Sequence, residues 1–258
     1  MNSIEPPTLS IIIPTLNEAH SIGKTLDSVA RLFVPSELVV VDGGSNDRTR
    51  NIADAHGAKV IRSESGRGRQ MHIGACAAKG DLLWFLHADT IVPREATKAI
   101  VVAMRNPTVV AGNFEVRFDG AGTAPKFMTW LYPRLRRLGL CYGDSAFFVR
   151  REAYFKVGGF MAFPIFEDLD LLRKLRKIGR FVHLSPQVVT SSRRFEGRTF
   201  AITFTHWLVM QLLYWLSVNP RRLGRFYNRH GATKKRLSST QSRSTSSKTD
   251  IYHGGEAC

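Results

Sequence analysis

Asp81-Leu82-Leu83-Trp84-Phe85-Leu86-His87-Ala88-Asp89-Thr90-Ile91-Val92 is the stretch on which the reading of the chain turns. From Leu82 to Leu86 it is apolar without a break, the pattern of a strand covered on both faces inside a parallel sheet rather than one with a wet face. The run stops at His87-Ala88-Asp89-Thr90. In an open α/β sheet, ligands sit beyond the carboxyl ends of the strands, so a carboxylate released there is placed to meet a metal ion or a phosphate. The plainer reading makes Asp89 a helix cap, because Pro93 opens a helical pattern soon afterwards.

Upstream, the same alternation repeats. Leu9 to Pro14 reads as a buried strand left through Thr15-Leu16-Asn17-Glu18, and Ile22, Leu26, Val29 and Phe33 fall on one face of the helix that follows. A second strand, Glu37 to Val41, ends in Asp42-Gly43-Gly44-Ser45-Asn46-Asp47, and a helix from about Asp47 to His56 closes at Gly57. Strand three is Lys59 to Arg62. A Gly/Arg loop, Ser65 to Arg69, then leads into a helix that closes at Gly80. Strands alternating with helices of about ten residues imply right-handed crossovers and a mostly parallel central sheet flanked by helices.

Downstream the pattern loosens. A helix is expected from about Arg94 to Arg105, then a strand with one wetter face from Val110 to Phe118, and a short strand from Ala146 to Val149. Lys126 to Leu140 mixes Phe127, Trp130, Leu131, Tyr132, Leu135 and Leu138 with basic side chains, which suits either an interfacial helix or one packed on the domain. The helix opened by Glu167-Asp168 turns Leu171, Leu172, Leu175 and Ile178 inward, and strands follow at about Phe181 to Leu184 and Val188 to Ser191. Phe200 to Val218 is nearly uncharged and near the minimum length for a span, but its Thr203, Thr205, His206, Gln211 and Ser217 favour a helix lying on the domain or in the bilayer surface. Residues 1–8 read as an extension, 9–228 as one α/β domain with interfacial helices over about 198–228, and 229–258 as a basic Ser/Thr-rich disordered tail.

The chain of 258 residues carries a formal charge of +16, of which about +7 lies from Arg221 onward. Cys76, Cys141 and Cys258 have no metal-ligand spacing and are odd in number, so neither a zinc site nor a disulfide framework is indicated, and a reducing compartment is expected. Met1 to Thr8 lacks the apolar run of a secretory signal. The expected location is cytoplasmic, with peripheral contact on the cytosolic face of an anionic membrane.

Three acidic loops, at Asp42, Asp89 and Glu167-Asp168, fall at strand ends or helix starts. One could accept from a base or ribose, one could hold a divalent cation bridging a diphosphate, and one could take a proton from an attacking hydroxyl. Ile11-Ile12-Ile13-Pro14-Thr15-Leu16-Asn17-Glu18, Val39-Val40-Val41-Asp42-Gly43-Gly44-Ser45-Asn46-Asp47, Phe85-Leu86-His87-Ala88-Asp89-Thr90, Gly158-Gly159-Phe160 and Glu167-Asp168 together resemble family 2 glycosyltransferases of the GT-A fold, over about residues 9 to 228. Arg67-Gly68-Arg69-Gln70-Met71 and Tyr142-Gly143-Asp144 are similar, more narrowly, to the branch labelled radical-SAM/selenodomain-associated transferase 2.

The resemblance implies a Rossmann-like nucleotide-diphospho-sugar transferase that inverts the transferred sugar, with Mn²⁺ or Mg²⁺ as cofactor. By its motifs, Pro14, Thr15, Asn17, Glu18, Gly44 and Ala88 would line the nucleotide and donor pocket, with Asp42 on the base and Arg69 and Gln70 approaching the donor. Asp89 would hold the metal beside His87, Asp168 of the Glu167-Asp168 pair would be the catalytic base, and Asp144 would stand nearer the acceptor. The chain departs from the pattern at His87, where the metal motif has its first aspartate, at Ser145 in place of a glutamine, and at His72 in place of an asparagine. Ser192-Arg193-Arg194-Phe195 stands where polymerising members carry Gln-x-x-Arg-Trp, which argues against processive synthesis.

Other functions fit less well. A sugar nucleotidyltransferase needs a glycine-rich basic loop after the first strand, where this chain has Pro14 to Glu18. Gly-x-Gly-x-x-Gly is absent there too, which excludes a dehydrogenase. A basic membrane- or nucleotide-binding protein without strong transferase activity is the remaining alternative. No base-reading fold is present, so nucleic acid is not an expected partner, and the charge is assigned to anionic lipid or a phosphorylated acceptor.

Overall fold

The computed structural model describes residues 7–137, 146–193 and 200–216, with 218, 220 and 223. The first four strands, β1 (Leu9–Thr15), β2 (Glu37–Asp42), β3 (Lys59–Arg62) and β4 (Leu82–Phe85), are separated by α1 (Ile22–Val29), α2 (Thr49–Ala55) and α3 (Arg67–Ala77). There follow β5 (Thr90–Ile91), α4 (Ala96–Met104), β6 (Val109–Phe118), α5 (Thr123–Arg137), β7 (Phe148–Arg150), α6 (Arg151–Lys156), α7 (Glu167–Leu175), β8 (Arg180–Thr190) and α8 (Phe200–Trp215).

One sheet in the order β3-β2-β1-β4-β7-β6-β8-β5 joins all of these strands. The half made of β3, β2, β1 and β4 is parallel, as the strand–helix alternation requires. Beyond it the sheet is mixed: β7 runs antiparallel to both β4 and β6, and β5 antiparallel to β8, while β6 and β8 run parallel. The expectation of a mostly parallel sheet therefore holds for the first half and not for the second.

Because side chains alternate along a strand, Ile11 and Ile13 of β1 face one core layer with Ile22 and Leu26 of α1, while Ile12 faces the other with Met71 and Ala75 of α3. A Cβ on Gly74 would collide with Ile12 Cγ2, so this glycine is what lets α3 lie close to the sheet.

Several sequence expectations are corrected. Arg67 to Arg69 belong to the first turn of α3 and not to a loop. Asp89 caps no helix: β5 intervenes, and Glu95 holds the N-cap position of α4. Val109–Phe118 is wetter on one face only toward its end, where Glu115 and Arg117 escape burial between buried Phe114, Val116 and Phe118, whereas its first half, Asn113 included, is buried on both faces. The two late strands are one, β8, with a register shift between Phe114↔Leu184 and Glu115↔Gln187 absorbing Ser185-Pro186. Phe33 and Ile178 lie past the ends of their helices and are exposed, and Arg94 stacks its guanidinium over the Phe33 ring. Cys76 is disulfide-bonded, which removes cysteine usage as an argument for a reducing compartment. Asp144, Ser145 and the tail from residue 229 lie outside the described residues. Among the described residues, no helix is long and apolar enough to cross a membrane.

Candidate active site

The carboxyl ends of β1 and β2 meet at the Thr15↔Asp42 pair. Asp42 is wholly buried, and its Oδ2 accepts the backbone N–H groups of Gly44 (3.2 Å) and Ser45 (2.9 Å), with Arg50 Nε 4.0 Å away. The turn requires Gly44 at φ +95°. Asn17, at φ +56°, is the residue type that tolerates the left-handed region best, and it ties this turn to the β1 loop. Its N–H donates to Ser45 Oγ (2.8 Å) and its Oδ1 accepts from Asn46 N (2.9 Å). The N–H of Glu18 donates to Thr49 Oγ1 (2.8 Å). The loops after β1 and β2 are thus one hydrogen-bonded unit.

Gln70 locks that unit from α3. Its buried side chain donates from Nε2 to Thr15 O and Val41 O, both at 2.8 Å, and accepts Gly66 N–H at Oε1 (3.2 Å). Both amide hydrogens are committed to the backbone, so Gln70 braces the loops after β1 and β2 and keeps no N–H for a ligand. Arg69 points away to an ion pair with Glu64.

The residue of that helix turned to the acidic pair is Arg67. Its Nε meets Glu167 Oε1 and its Nη2 lies 3.5 Å from Asp168 Oδ2. Both carboxylates sit in the first turn of α7, where the helix dipole favours negative charge. Phe166, left-handed at φ +63°, turns the chain into α7, and Tyr214 of α8 packs on its ring at 4.8 Å between centroids. Burial, then the Asp170 carboxylate, raises the Tyr214 phenol above its ordinary value. Gly68 gives α3 room here: a Cβ on it would lie 2.6 Å from Met161 O and 3.3 Å from Glu167 Cγ.

From β4, Leu86 N–H donates to Ile12 O (3.0 Å), and Thr25 Oγ1 donates to Ala88 O (2.9 Å), which fixes the His87-Ala88-Asp89 loop beside β1. Asp89 Oδ2 accepts from Arg193 Nη2 at 3.3 Å, and the same nitrogen bonds Glu18 Oε2 (3.0 Å) and Ser21 Oγ (3.2 Å). Asp42 and Asp89 therefore belong to loops at one carboxyl edge of β1, β2 and β4, and Asp168 of the first turn of α7 is tied to that edge through Arg67 and Gln70 of α3, while Arg193 joins Asp89 to Glu18. A surface hollow lined by Thr8, Pro35, Glu37 and Lys79 lies at the opposite, amino edge and takes no part.

The metal question turns on Asp89. Among the described residues no three His, Cys, Asp or Glu side chains converge on a point. One partly exposed carboxylate, with His87 two residues before it, fits an ion that is completed by oxygens of a bound diphosphate and not one caged by protein alone.

Sequence reasoning assigns no role to Arg67 or Arg193, although each stands inside a stretch singled out above, Arg67-Gly68-Arg69-Gln70-Met71 and Ser192-Arg193-Arg194-Phe195. His72, which it noted as a departure, has a structural partner: its Nδ1 lies 3.0 Å from Tyr154 OH, and burial lowers its pKa. Burial likewise raises the Tyr154 phenol.

The model of the glycosyl transferase family 2 domain matches residues 10–164, more than half of the chain, and takes in the β1 loop, the Asp42 turn and the Asp89 loop. The chain belongs to glycosyl transferase family 2. One relative is a PGL/p-HBAD biosynthesis glycosyltransferase of Mycobacterium bovis, 30% identical over 213 residues that cover 74% of this chain and 78% of the relative. The chain spans only about a third of the length of several other curated relatives it matches.

Two solved structures have the same GT-A fold. A mannosyltransferase of Pyrobaculum calidifontis in complex with GDP-Man and Mn²⁺ superposes with a TM-score of 0.64 at 20% identity, covering 84% of this chain and 66% of that one. Glucosyl-3-phosphoglycerate synthase of Mycobacterium tuberculosis, with Mn²⁺ and UDP-glucose, gives 0.61 at 20%, covering 83% and 80%.

Proposed function

We propose that this protein transfers a sugar from a nucleotide-diphosphate donor to an acceptor hydroxyl in a single inverting displacement. The observation that carries the reading is the joining of the Asp42, Asp89 and Glu167-Asp168 loops along one sheet edge. The solved relatives hold UDP-glucose or GDP-mannose with Mn²⁺, which supports a nucleotide sugar here as well.

In this reading the nucleoside lies against Pro14, Thr15, Asn17, Glu18 and the Asp42-Gly43-Gly44 turn, with the diphosphate toward Ala88 and Asp89. A divalent ion, Mn²⁺ or Mg²⁺, when bound, neutralises the charge that gathers on the leaving diphosphate, and Asp89 would hold it with His87 as a nitrogen donor. Asp168 takes the acceptor's hydroxyl proton as that oxygen forms its bond to the anomeric carbon and the bond to the diphosphate breaks. Attack from the face opposite the leaving group inverts the carbon. Arg67 orients Asp168 through their contact and through Glu167, and Asp144 belongs to the acceptor side. The similarity to the radical-SAM/selenodomain-associated branch extends the reading without naming an acceptor.

Peripheral attachment to the cytosolic leaflet is part of this reading. It is supported by exposed Leu208, Val209, Leu212 and Trp215 of α8, and Leu216 just past it, beside exposed Phe127 and Trp130 of α5, with Arg134 stacked over Trp130 at 3.8 Å. Such an amphipathic border with a net charge of +16 suits anionic lipid. Flotation with anionic vesicles checks it: the protein rises with them at low salt and is released at high salt, and no association at low salt refutes it.

A thermal-shift panel of UDP-glucose, GDP-mannose, UDP and GDP, with and without Mn²⁺, tests the main reading and is followed by analysis of the transferred sugar. A matching donor at about 100 times its Kd stabilises the native state by about 2.7 kcal/mol. Asp89→Ala removes the Mn²⁺-dependent part of that shift. A chain that no nucleotide stabilises at millimolar concentration is not this enzyme.

A further inference from the structure

We propose that Arg193 is an exchangeable counter-charge of the donor site. Without donor, its guanidinium occupies Glu18 and Asp89 and competes with a divalent ion for Asp89. When the nucleotide diphosphate arrives, Arg193 passes to the phosphates and leaves Asp89 to the metal. The inference rests on the donor-site reading above and goes beyond it by assigning a role to a residue outside the motifs that led there.

Three observations carry it. First, one nitrogen, Arg193 Nη2, reaches Glu18 Oε2 at 3.0 Å, Ser21 Oγ at 3.2 Å and Asp89 Oδ2 at 3.3 Å, residues 175, 172 and 104 positions away in the chain. A cation already sits against the Asp89 carboxylate that would hold the metal, and two cations on one carboxylate repel each other.

Second, the cluster is open. The side chains of Arg193, Glu18 and Asp89 are 40%, 29% and 25% exposed, so their ion pairs are screened by water and weak enough to be traded for better ones. A buried pair would be a permanent staple.

Third, the backbone and Nε of Arg193 hold to the end of β8, and Nη2 is the nitrogen left to the separate partners. Arg193 N–H and Nε–H both donate to Ser191 Oγ (3.3 and 3.2 Å), and Ser192 N–H donates to Asp119 Oδ1 (2.5 Å). With Nε still on Ser191, Nη2 can therefore change partners without moving β8. Its planar fork matches two phosphate oxygens better than it matches single oxygens of two separate carboxylates.

The rival explanation is a static tie between the end of β8 and the β1 loop. The two differ in sign, and Arg193→Gln in the full chain separates them. Mn²⁺ affinity without nucleotide, read by electron paramagnetic resonance, tightens about fivefold once the competing cation is gone. UDP affinity at saturating Mn²⁺, read by calorimetry with GDP run alongside, weakens about tenfold, as loss of a charge-assisted phosphate contact requires. UMP, with no second phosphate, binds Arg193→Gln and wild type alike. Arg193→Lys keeps the charge without the fork and falls between them for UDP, with Mn²⁺ affinity near wild type.

A static tie instead lowers the melting temperature and weakens Mn²⁺ and UDP together, which overturns the proposal. Unchanged Mn²⁺ affinity in Arg193→Gln overturns it too. Should wild type bind neither UDP nor GDP, the donor-site reading fails on that arm, while the Mn²⁺ comparison still decides whether Arg193 competes for Asp89.

Discussion

Replacing Gln70 by Glu changes one amide nitrogen into an oxygen and leaves the volume of the side chain nearly untouched. In the native protein that nitrogen donates to two carbonyl oxygens, Thr15 O and Val41 O, each 2.8 Å away, within a side chain only 4% exposed. While protonated, the substituted carboxyl group still donates to one of them and forfeits about 1 kcal/mol. Once ionised it donates to neither and sets a negative charge against both, so the folded state holds its proton more tightly and its pKa rises by about two units over the unfolded value of about 4.3.

The folded pKa is thus raised, and the stability present at low pH is lost as pH climbs through it, about 2.7 kcal/mol in all. Urea unfolding of the variant and of wild type reads this directly. With a slope of about 3 kcal/mol per molar, the midpoint of Gln70→Glu lies about 0.7 M below wild type at pH 5 and about 1.2 M below at pH 8. Gln70→Leu, with no proton to gain, is displaced by about the same amount at both. A Gln70→Glu midpoint equal to wild type at both pH values would refute the claim that this amide clamps the loops after β1 and β2.

Asp168→Asn keeps the fold and donor binding while transfer slows by about 10²- to 10⁴-fold, measured as product formed in single-turnover assays, and retained turnover assigns the base elsewhere. Burial lowers the pKa of His72, so its contribution to stability is complete above its ordinary value of about 6.5 and is lost as pH falls. Melting temperatures of His72→Asn and wild type should therefore converge between pH 7 and pH 5, and a constant gap would show that His72 does not titrate with unfolding. Gly68→Ala places a methyl group 2.6 Å from Met161 O, so it should cost about 1–3 kcal/mol in chemical denaturation, and a neutral result would mean that α3 and α7 are free to separate.

The parallel half of the fold is legible because its strands are continuous apolar runs bounded by Gly and Asp. Sequence and structure agree on Lys59–Arg62 to the residue, and on β1, β2 and β4 to within one. What fails downstream fails for tertiary reasons. In Val109–Phe118 the alternation of Asn113, Glu115 and Arg117 with apolar residues suggests a wet face, and Glu115 and Arg117 do escape burial, but Asn113 on the same face is buried completely. Ser185-Pro186 reads as the gap between two strands because proline breaks ladders, whereas a register shift lets β8 continue past it. The acidic loops of the candidate site can be found one at a time from local pattern. The arginines that join them cannot, because Arg67 and Glu167 stand 100 positions apart and Arg193 and Asp89 stand 104 apart.

The pairing of β5 with β8 sets Thr90 opposite Thr190. A ribosome that has just released residue 90 has made every strand of the parallel half, yet the segment carrying Asp89 still lacks the neighbour that completes its ladder. That neighbour arrives a hundred residues later, at the distal margin of the sheet. Fragments truncated before β8 can keep a packed β3-β2-β1-β4 unit while leaving this one corner unfinished, so synthesis orders the Asp42 side of the sheet first and the Asp89 corner last.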